Sequence, residues 1–217
     1  MAAERSGQSM LNIGVLALQG AFAEHVRMLR QLGANAVEVR KASQLTDLHG
    51  LIIPGGESTA ISLIAGRWGL LEPLREWVQT GKPAWGTCAG LILLSDRIEG
   101  GRPGGQALVG GLDVTVSRNH FGRQIDSFRQ EIGMTESGLD AAPYPAVFIR
   151  APAITAYGPQ VRPLATLSIA DGGTITVAVR QGNMLATAFH PELTTDTRWH
   201  RYFLALVKSA VHEKCDD

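Results

Sequence analysis

Apolar residues along this chain recur with two different periods. "LNIGVLALQG" (residues 11–20) is apolar almost throughout and ends in glycine, as a strand buried on both faces does. In "AFAEHVRMLRQLG", Phe22, Val26, Leu29 and Leu32 recur at helical spacing and Gly33 stops the run, which predicts a helix. The alternation continues. "AVEVR" and "LHGLIIPGG" predict strands, "STAISLIAG" and "LLEPLREWVQTG" helices, "PAWGT" a strand, and "AGLILLSDRI" a helix. Strands alternating with helices predict a parallel sheet covered on both faces.

The pattern changes after residue 99. "GGRPGGQALVGG" is too glycine-rich for a regular element and predicts a loop. Beyond it come short strand-like runs, "LDVTVSR", "AVFIRAP", "TITVAVR" and "NMLATAF", the last two joined at "RQGN" as a hairpin. "TDTRWHRYFLALVKSAVHEK" predicts a C-terminal helix with a Thr/Asp start signal. The predicted class is α/β: a three-layer αβα domain whose central sheet is mostly parallel, with an antiparallel-rich second half. One domain spans residues 10–212. Met1–Ser9 reads as a disordered extension and residues 213–217 as a tail.

Composition narrows the function classes. With 217 residues, 45% hydrophobic and 18% charged, the chain has material for one sizeable core. A formal net charge of zero argues against electrostatic capture of nucleic acid or an anionic membrane. No apolar run approaches the ~20 residues of a spanning helix, and the first nine residues lack the apolar segment of a signal peptide. Cys88 and Cys215 sit in unrelated contexts, which argues against a disulfide scaffold and for a reducing, cytoplasmic setting.

Three segments fall where strands end, the place where open α/β sheets bind ligands. "GTCAG" (residues 86–90) has the shape of a nucleophile elbow with cysteine at its centre. A sharp strand-to-helix turn lifts the Cys88 side chain clear of the sheet, and Gly86 and Gly90 allow close packing. The following helix aims N–H groups, Ala89 first, at the place where an oxyanion would form. In "AFHPE", His190 and Glu192 are two residues apart. In extended chain they point the same way, so the carboxylate can orient the imidazole while its other nitrogen faces the thiol. "PGGEST" lets backbone approach a ligand closely through Gly55 and Gly56. It lacks the ending of a phosphate-binding P-loop, and Glu57 suits an ammonium group. Read as plain structure, the same segments are a core cysteine, a strand-end histidine, and a turn with Ser58 capping the next helix. The other histidines carry weaker signals: His25 and His200 lie in amphipathic helices, His49 and His212 in polar surroundings, and His120 in a polar loop. No spacing suits a structural zinc site.

Taken together, "GVLALQG", "LIIPGGEST", "WGTCAGLILL", "RNHFGRQIDSF", "VFIRAP" and "LATAFHPELT" resemble the glutaminase subunits of pyridoxal 5'-phosphate synthase, triad-type class I glutamine amidotransferases with a flavodoxin-like sheet. The resemblance runs from about Met10 to Val211. "GTCAG" with "HPE" is shared by many amidotransferases, whereas "LQG…E/H", "PGGEST", "RNHFGRQ" and "FIRAP" are much more specific to the vitamin B6 branch. It implies hydrolysis of L-glutamine to glutamate and ammonia, with ammonia passed to a synthase subunit in a hetero-oligomer. It also implies Cys88 as nucleophile, His190 as base and then acid, and Glu192 as its orienting carboxylate. Gly56, Glu57, Ser58, Arg118, Ile149 and Arg150 are implied in substrate binding, and Gly56 as an oxyanion contributor beside Ala89. No metal or organic cofactor is implied. Three other readings stay open on the triad alone: a glutaminase feeding a different synthase, a γ-glutamyl or peptide hydrolase, and a scaffold with an idle triad.

Overall fold

The computed structural model describes residues 10–100, 105–118, 127–135, 139, 142–169 and 172–213. Met1–Ser9, His120 with most of "RNHFGRQ", and Cys215 lie outside the described residues. Strand β1 (Asn12–Leu16) leads into helix α1 (Phe22–Gln31). Then follow β2 (Asn35–Val39), β3 (Gly50–Ile53), α2 (Ser58–Arg67), α3 (Leu71–Gln79), β4 (Ala84–Thr87) and α4 (Ala89–Leu94). The second half holds β5 (Ser95–Ile98), β6 (Leu112–Ser117), β7 (Ser127–Met134), β8 (Tyr144–Ile149), β9 (Ala153–Tyr157), β10 (Arg162–Ser168), β11 (Thr174–Gln181) and β12 (Met184–Thr187). Helix α5 (Arg198–Glu213) ends it.

The sheet runs in the order β2-β1-β3-β4-β12-β11-β10-β7-β8, with β5, β6 and β9 branching from β11. Its first five strands pair in parallel. From β12 onward along this path the neighbours are antiparallel. The β11–β12 hairpin turns at Gly182, whose φ of 54° suits glycine. Trp85 and Gly86 in β4 show how both faces are covered. Successive strand residues point to opposite sides. Trp85 packs on His200 and Phe203 of α5 and His25 of α1, whereas Gly86 abuts Gly90 of α4. The Asp196 carboxylate accepts the Arg198 N–H at 2.9 Å, which is the predicted start signal of α5 at work.

The structure departs from the expected elements in two places. The helix expected across "AGLILLSDRI" stops at Leu94, and Ser95–Ile98 pairs in parallel with β6. The apolar run "AGLILL" supplies the buried helix, while "SDRI" exposes Asp96 and Arg97, and Arg97 pairs with Asp113 on β6. Strands β7, β9 and β10 were not among the expected runs. Their alternation is weak because β7 is mostly exposed and β10 carries register shifts.

Candidate active site

The nucleophile elbow forms as the sequence predicts. Cys88 sits at φ 49°, ψ −100°, a conformation that L-residues rarely adopt, between the end of β4 and the start of α4. Its flanking glycines are needed for close approach. A Cβ on Gly90 would lie 1.9 Å from the Ile53 carbonyl oxygen, and one on Gly86 would lie 2.4 Å from the Gly90 carbonyl. The backbone N–H of Cys88 donates to the Thr187 carbonyl at 2.8 Å, so the elbow is fastened to β12. The thiol faces the Ile149 carbonyl at 3.8 Å. Since α4 is only six residues long, negative charge at its start is served by its first N–H groups rather than by a long aligned dipole.

His190 and Glu192 follow directly from β12. The chain leaves the strand at Ala188, and the His190 N–H donates to the Val147 carbonyl of β8 at 2.8 Å. The segment is not the extended chain that the sequence predicts: Pro191 opens a single tight turn over Pro191–Leu193, and it is this turn that brings Glu192 back under the imidazole. His190 Nδ1 lies 2.7 Å from Glu192 Oε1, and the carboxylate is wholly buried. Burial opposes the imidazolium, but hydrogen bonds and negative charge from Cys88 and Glu192 outweigh it and raise His190 to about 10. Burial likewise opposes the Glu192 anion, yet His25 and His190 hold its carboxyl far below the usual range.

The "PGGEST" loop closes the site. Gly55 packs against the imidazole: a Cβ there would lie 2.3 Å from His190 Cε1. Gly20, at φ 96°, brings the "LQG" turn so close that a Cβ would lie 1.9 Å from the Gly55 carbonyl oxygen. Helix α2 is capped by Glu57, not Ser58. The Glu57 carboxylate accepts the N–H groups of Thr59 at 3.1 Å and Ala60 at 2.7 Å. Burial is the largest single influence and opposes its charge, but these donors together outweigh it and lower its pKa. Ser58 instead donates to Gln106 Oε1 at 2.9 Å.

A cavity of about 300 Å³ is lined by Cys88, Ala89, His190, Gly56, Glu57, Ser58, Arg118, Ile149 and Arg150, together with Gln19 and Ile92. Of the residues that the resemblance implies in catalysis or substrate binding, only Glu192 does not line it, lying behind His190. Arg150 is the second non-glycine residue at positive φ, 43°, among the described residues. Three contributors escaped the sequence reading. Gln19 accepts the Glu57 N–H at 2.7 Å. Gln106, from the glycine-rich loop, accepts from Arg118 at 2.6 Å. His25 reaches Glu192 from α1. The "LQG" motif was the available signal for Gln19, whereas helical periodicity hid His25 among core positions.

A profile of the SNO glutamine amidotransferase family matches residues 15–209. The chain belongs to that family. Relatives of this SNO chain include a probable pyridoxal 5'-phosphate synthase subunit PDX2 of Arabidopsis thaliana, 50% identical over 91% of this chain and 86% of the relative. The pyridoxal 5'-phosphate synthase subunit PdxT of Deinococcus radiodurans is 54% identical over 90% of this chain and 97% of its own length. A crystal structure of a glutamine amidotransferase, 46% identical, superposes with a TM-score of 0.81 over 90% of this chain and 98% of that one. PurLQS of Thermotoga maritima shares the SNO chain's fold at 13% identity, with a TM-score of 0.68. Among the described residues, no helix is long and apolar enough to cross a membrane.

Proposed function

We propose that residues 10–212 form a single glutamine amidotransferase domain that hydrolyses L-glutamine to glutamate and ammonia in the cytoplasm. The ammonia passes to a synthase subunit that makes pyridoxal 5'-phosphate. One observation carries the chemistry: a strained cysteine at a strand end shares a cavity with a histidine whose Nδ1 is 2.7 Å from a buried carboxylate. Family membership and the PdxT relatives support the substrate and the destination of the ammonia. A thiol nucleophile must stay reduced, which supports the cytoplasmic setting.

Glutamine enters with its side-chain amide over Cys88. Glu57 faces its α-ammonium, and Arg118 its α-carboxylate. The Cys88 thiolate attacks the amide carbon, and the N–H groups of Gly56 and Ala89 receive the oxyanion. His190 gives its proton to the departing nitrogen, ammonia leaves, and a γ-glutamyl thioester remains. The same imidazole then takes a proton from water as the water attacks the thioester, and returns it as the thiol leaves. Glu192 keeps the imidazole in one tautomer throughout.

The test is ammonia release from glutamine by the wild-type chain and by Cys88→Ala. Loss of a covalent nucleophile is expected to cost several orders of magnitude in kcat while the chain stays folded. Near-normal turnover in Cys88→Ala would remove the mechanism.

A further inference from the structure

Behind Glu192 lies a polar cluster that the reaction above does not use. His25 on α1 and His200 on α5 are both wholly buried, with His25 Nδ1 2.9 Å from His200 Nε2. The other nitrogen of His25 stands 3.3 Å from Glu192 Oε2 and 3.3 Å from the Thr87 hydroxyl. That hydroxyl accepts the Gly55 N–H at 2.9 Å. Trp85 closes the cluster edge-on, its ring centroid 5.6 Å from His25 and 4.9 Å from His200. Among the described residues, no group of three or more His, Cys, Asp or Glu side chains could hold a metal ion, so this is not a metal site.

The donors and acceptors fix what the cluster does. Carboxylate oxygens only accept, and Glu192 has two of them. His190 faces Oε1, and His25 is the side chain that faces Oε2. Because Oε2 can only accept, the tautomer that suits this placement carries Nε2–H toward Glu192, with Nδ1 of a neutral His25 accepting from His200 Nε2–H. Buried imidazoles are costly unless their nitrogens are partnered. Of the imidazole nitrogens in this cluster, only His200 Nδ1 has no hydrogen-bond partner among the described residues, and Glu192 Oε2, 3.3 Å from His25 Nε2, is met by an ion-pair contact rather than by an aligned hydrogen bond. Burial, with His25 beside it, holds His200 well below the ordinary histidine range, so it serves as a neutral, fixed support.

We infer that His25, seated by His200, is a positioning residue for glutamine hydrolysis. It holds the outer oxygen of Glu192 and, through the Thr87 hydroxyl, ties that carboxylate to the Gly55 peptide of the substrate loop. The inference rests on the glutaminase reading and extends it: the orienting carboxylate and the substrate loop are set by one shared group. The titratable groups facing His25 are Glu192 from the Pro191–Leu193 turn and His200 from α5, with His190 beyond Glu192. Strand β4 contributes only Trp85 and Thr87.

The experiment measures kcat, KM and the pH profile of ammonia release for His25→Met, His25→Gln and Thr87→Val, with thermal melting to confirm folding. Methionine removes the donor. Glutamine can place an amide N–H where Nε2–H stood. Valine keeps the shape of threonine and cuts the tie to Gly55. The expected result for His25→Met is a kcat lowered on the order of 10–100-fold with KM little changed, the range found when a group that orients a catalytic ligand is lost. The acid limb of its profile moves toward neutral pH, because Glu192 protonates more easily without His25. His25→Gln restores most of both, and Thr87→Val lowers kcat several-fold. Wild-type kcat and an unmoved acid limb in folded His25→Met or Thr87→Val overturn the role. So does a defect in His25→Met that appears only as lost folding while Thr87→Val is fully active. A wild-type chain with no glutamine turnover removes the glutaminase reading and this role with it.

Discussion

Cys88 shows how one residue can be held at a strand end at the expense of its own backbone. A non-glycine residue held in a sparsely populated region stores about 1–3 kcal/mol. Replacing it with alanine keeps that strain, whereas glycine relieves it and loses roughly 1 kcal/mol to unfolded-chain entropy. Cys88→Gly is therefore expected to be at least as stable as Cys88→Ala, and by up to about 2 kcal/mol more so, although glycine is usually the destabilising choice. Paired urea titrations check this. The raised pKa of His190 makes a second prediction at the same scale. The imidazolium is favoured in the folded chain below its ordinary 6.5 and persists until pH rises through about 10. The stability it contributes is complete below 6.5 and disappears across that window. The Glu192 contribution runs the other way: it is present above the ordinary carboxyl value of 4.5 and is lost as pH falls below it. The alkaline limb of kcat/KM for glutamine should then lie near pH 10, which a pH-rate profile would measure. A limb near 6.5 would contradict the arrangement of Cys88, His190 and Glu192.

At the scale of elements, the site depends on tight joints between β3, β4 and α4. Gly90 is pressed against the Ile53 carbonyl, which belongs to backbone and cannot swing aside. Gly90→Ala is expected to cost on the order of 3 kcal/mol, about 6–12 °C in Tm for a chain of this size, and to disturb the elbow. Differential scanning calorimetry, with ammonia release on the same sample, tests both effects. The joints also explain which parts of the molecule could be read in advance. "GTCAG" was legible because glycine spacing, strand pattern and chemistry agreed on one local geometry, whereas in "FHPE" the pairing of His190 with Glu192 was legible and the tight turn that achieves it was not. The cap of α2 was not, because serine is a preferred capping type and glutamate is not, yet the fold turns the Glu57 carboxylate onto the Thr59 and Ala60 N–H groups and draws Ser58 to Gln106. Helix α4 was overextended because an apolar run followed by "SDRI" fits a helix and a strand equally well, and the parallel partner of that strand lies on β6. His25 was passed over because a buried histidine on a periodic face has the same pattern as a core residue until Glu192 arrives from 167 positions later in the chain. Local patterns, in short, encode local geometry, and tertiary partners decide the rest.

Across the whole molecule, the parallel half supplies Cys88 and the Gly55–Ser58 loop to the cavity, and the second half supplies Arg118, the Ile149–Arg150 corner and His190. An enzyme that released ammonia freely would waste glutamine, and ammonia is mostly protonated near neutral pH. The isolated chain is therefore expected to hydrolyse glutamine weakly, and a saturating synthase subunit to raise kcat. Fixing one oxyanion donor of the Gly55-Gly56 loop is worth roughly 2.7–4 kcal/mol, or ~10²–10³ in rate. Steady-state ammonia release with and without the synthase subunit measures the effect. An isolated chain running at the full rate of the complex would rule out partner activation while leaving the triad in place.

The parallel pairing of β4 with β12 places Thr87 beside Thr187, and it fastens the Cys88 N–H to a carbonyl made a hundred positions later. Chains emerge from the ribosome N-terminus first. Through most of synthesis, then, Cys88 exists without His190. The last strand to be made slots into the middle of the sheet rather than onto its edge, and the same event that completes the sheet brings the imidazole to the cavity of Cys88. Under the proposed mechanism, only a finished chain pairs this cysteine with its base. The rate at which a thiol-directed label gains access to the activated Cys88 would serve as a clock for the final step of folding.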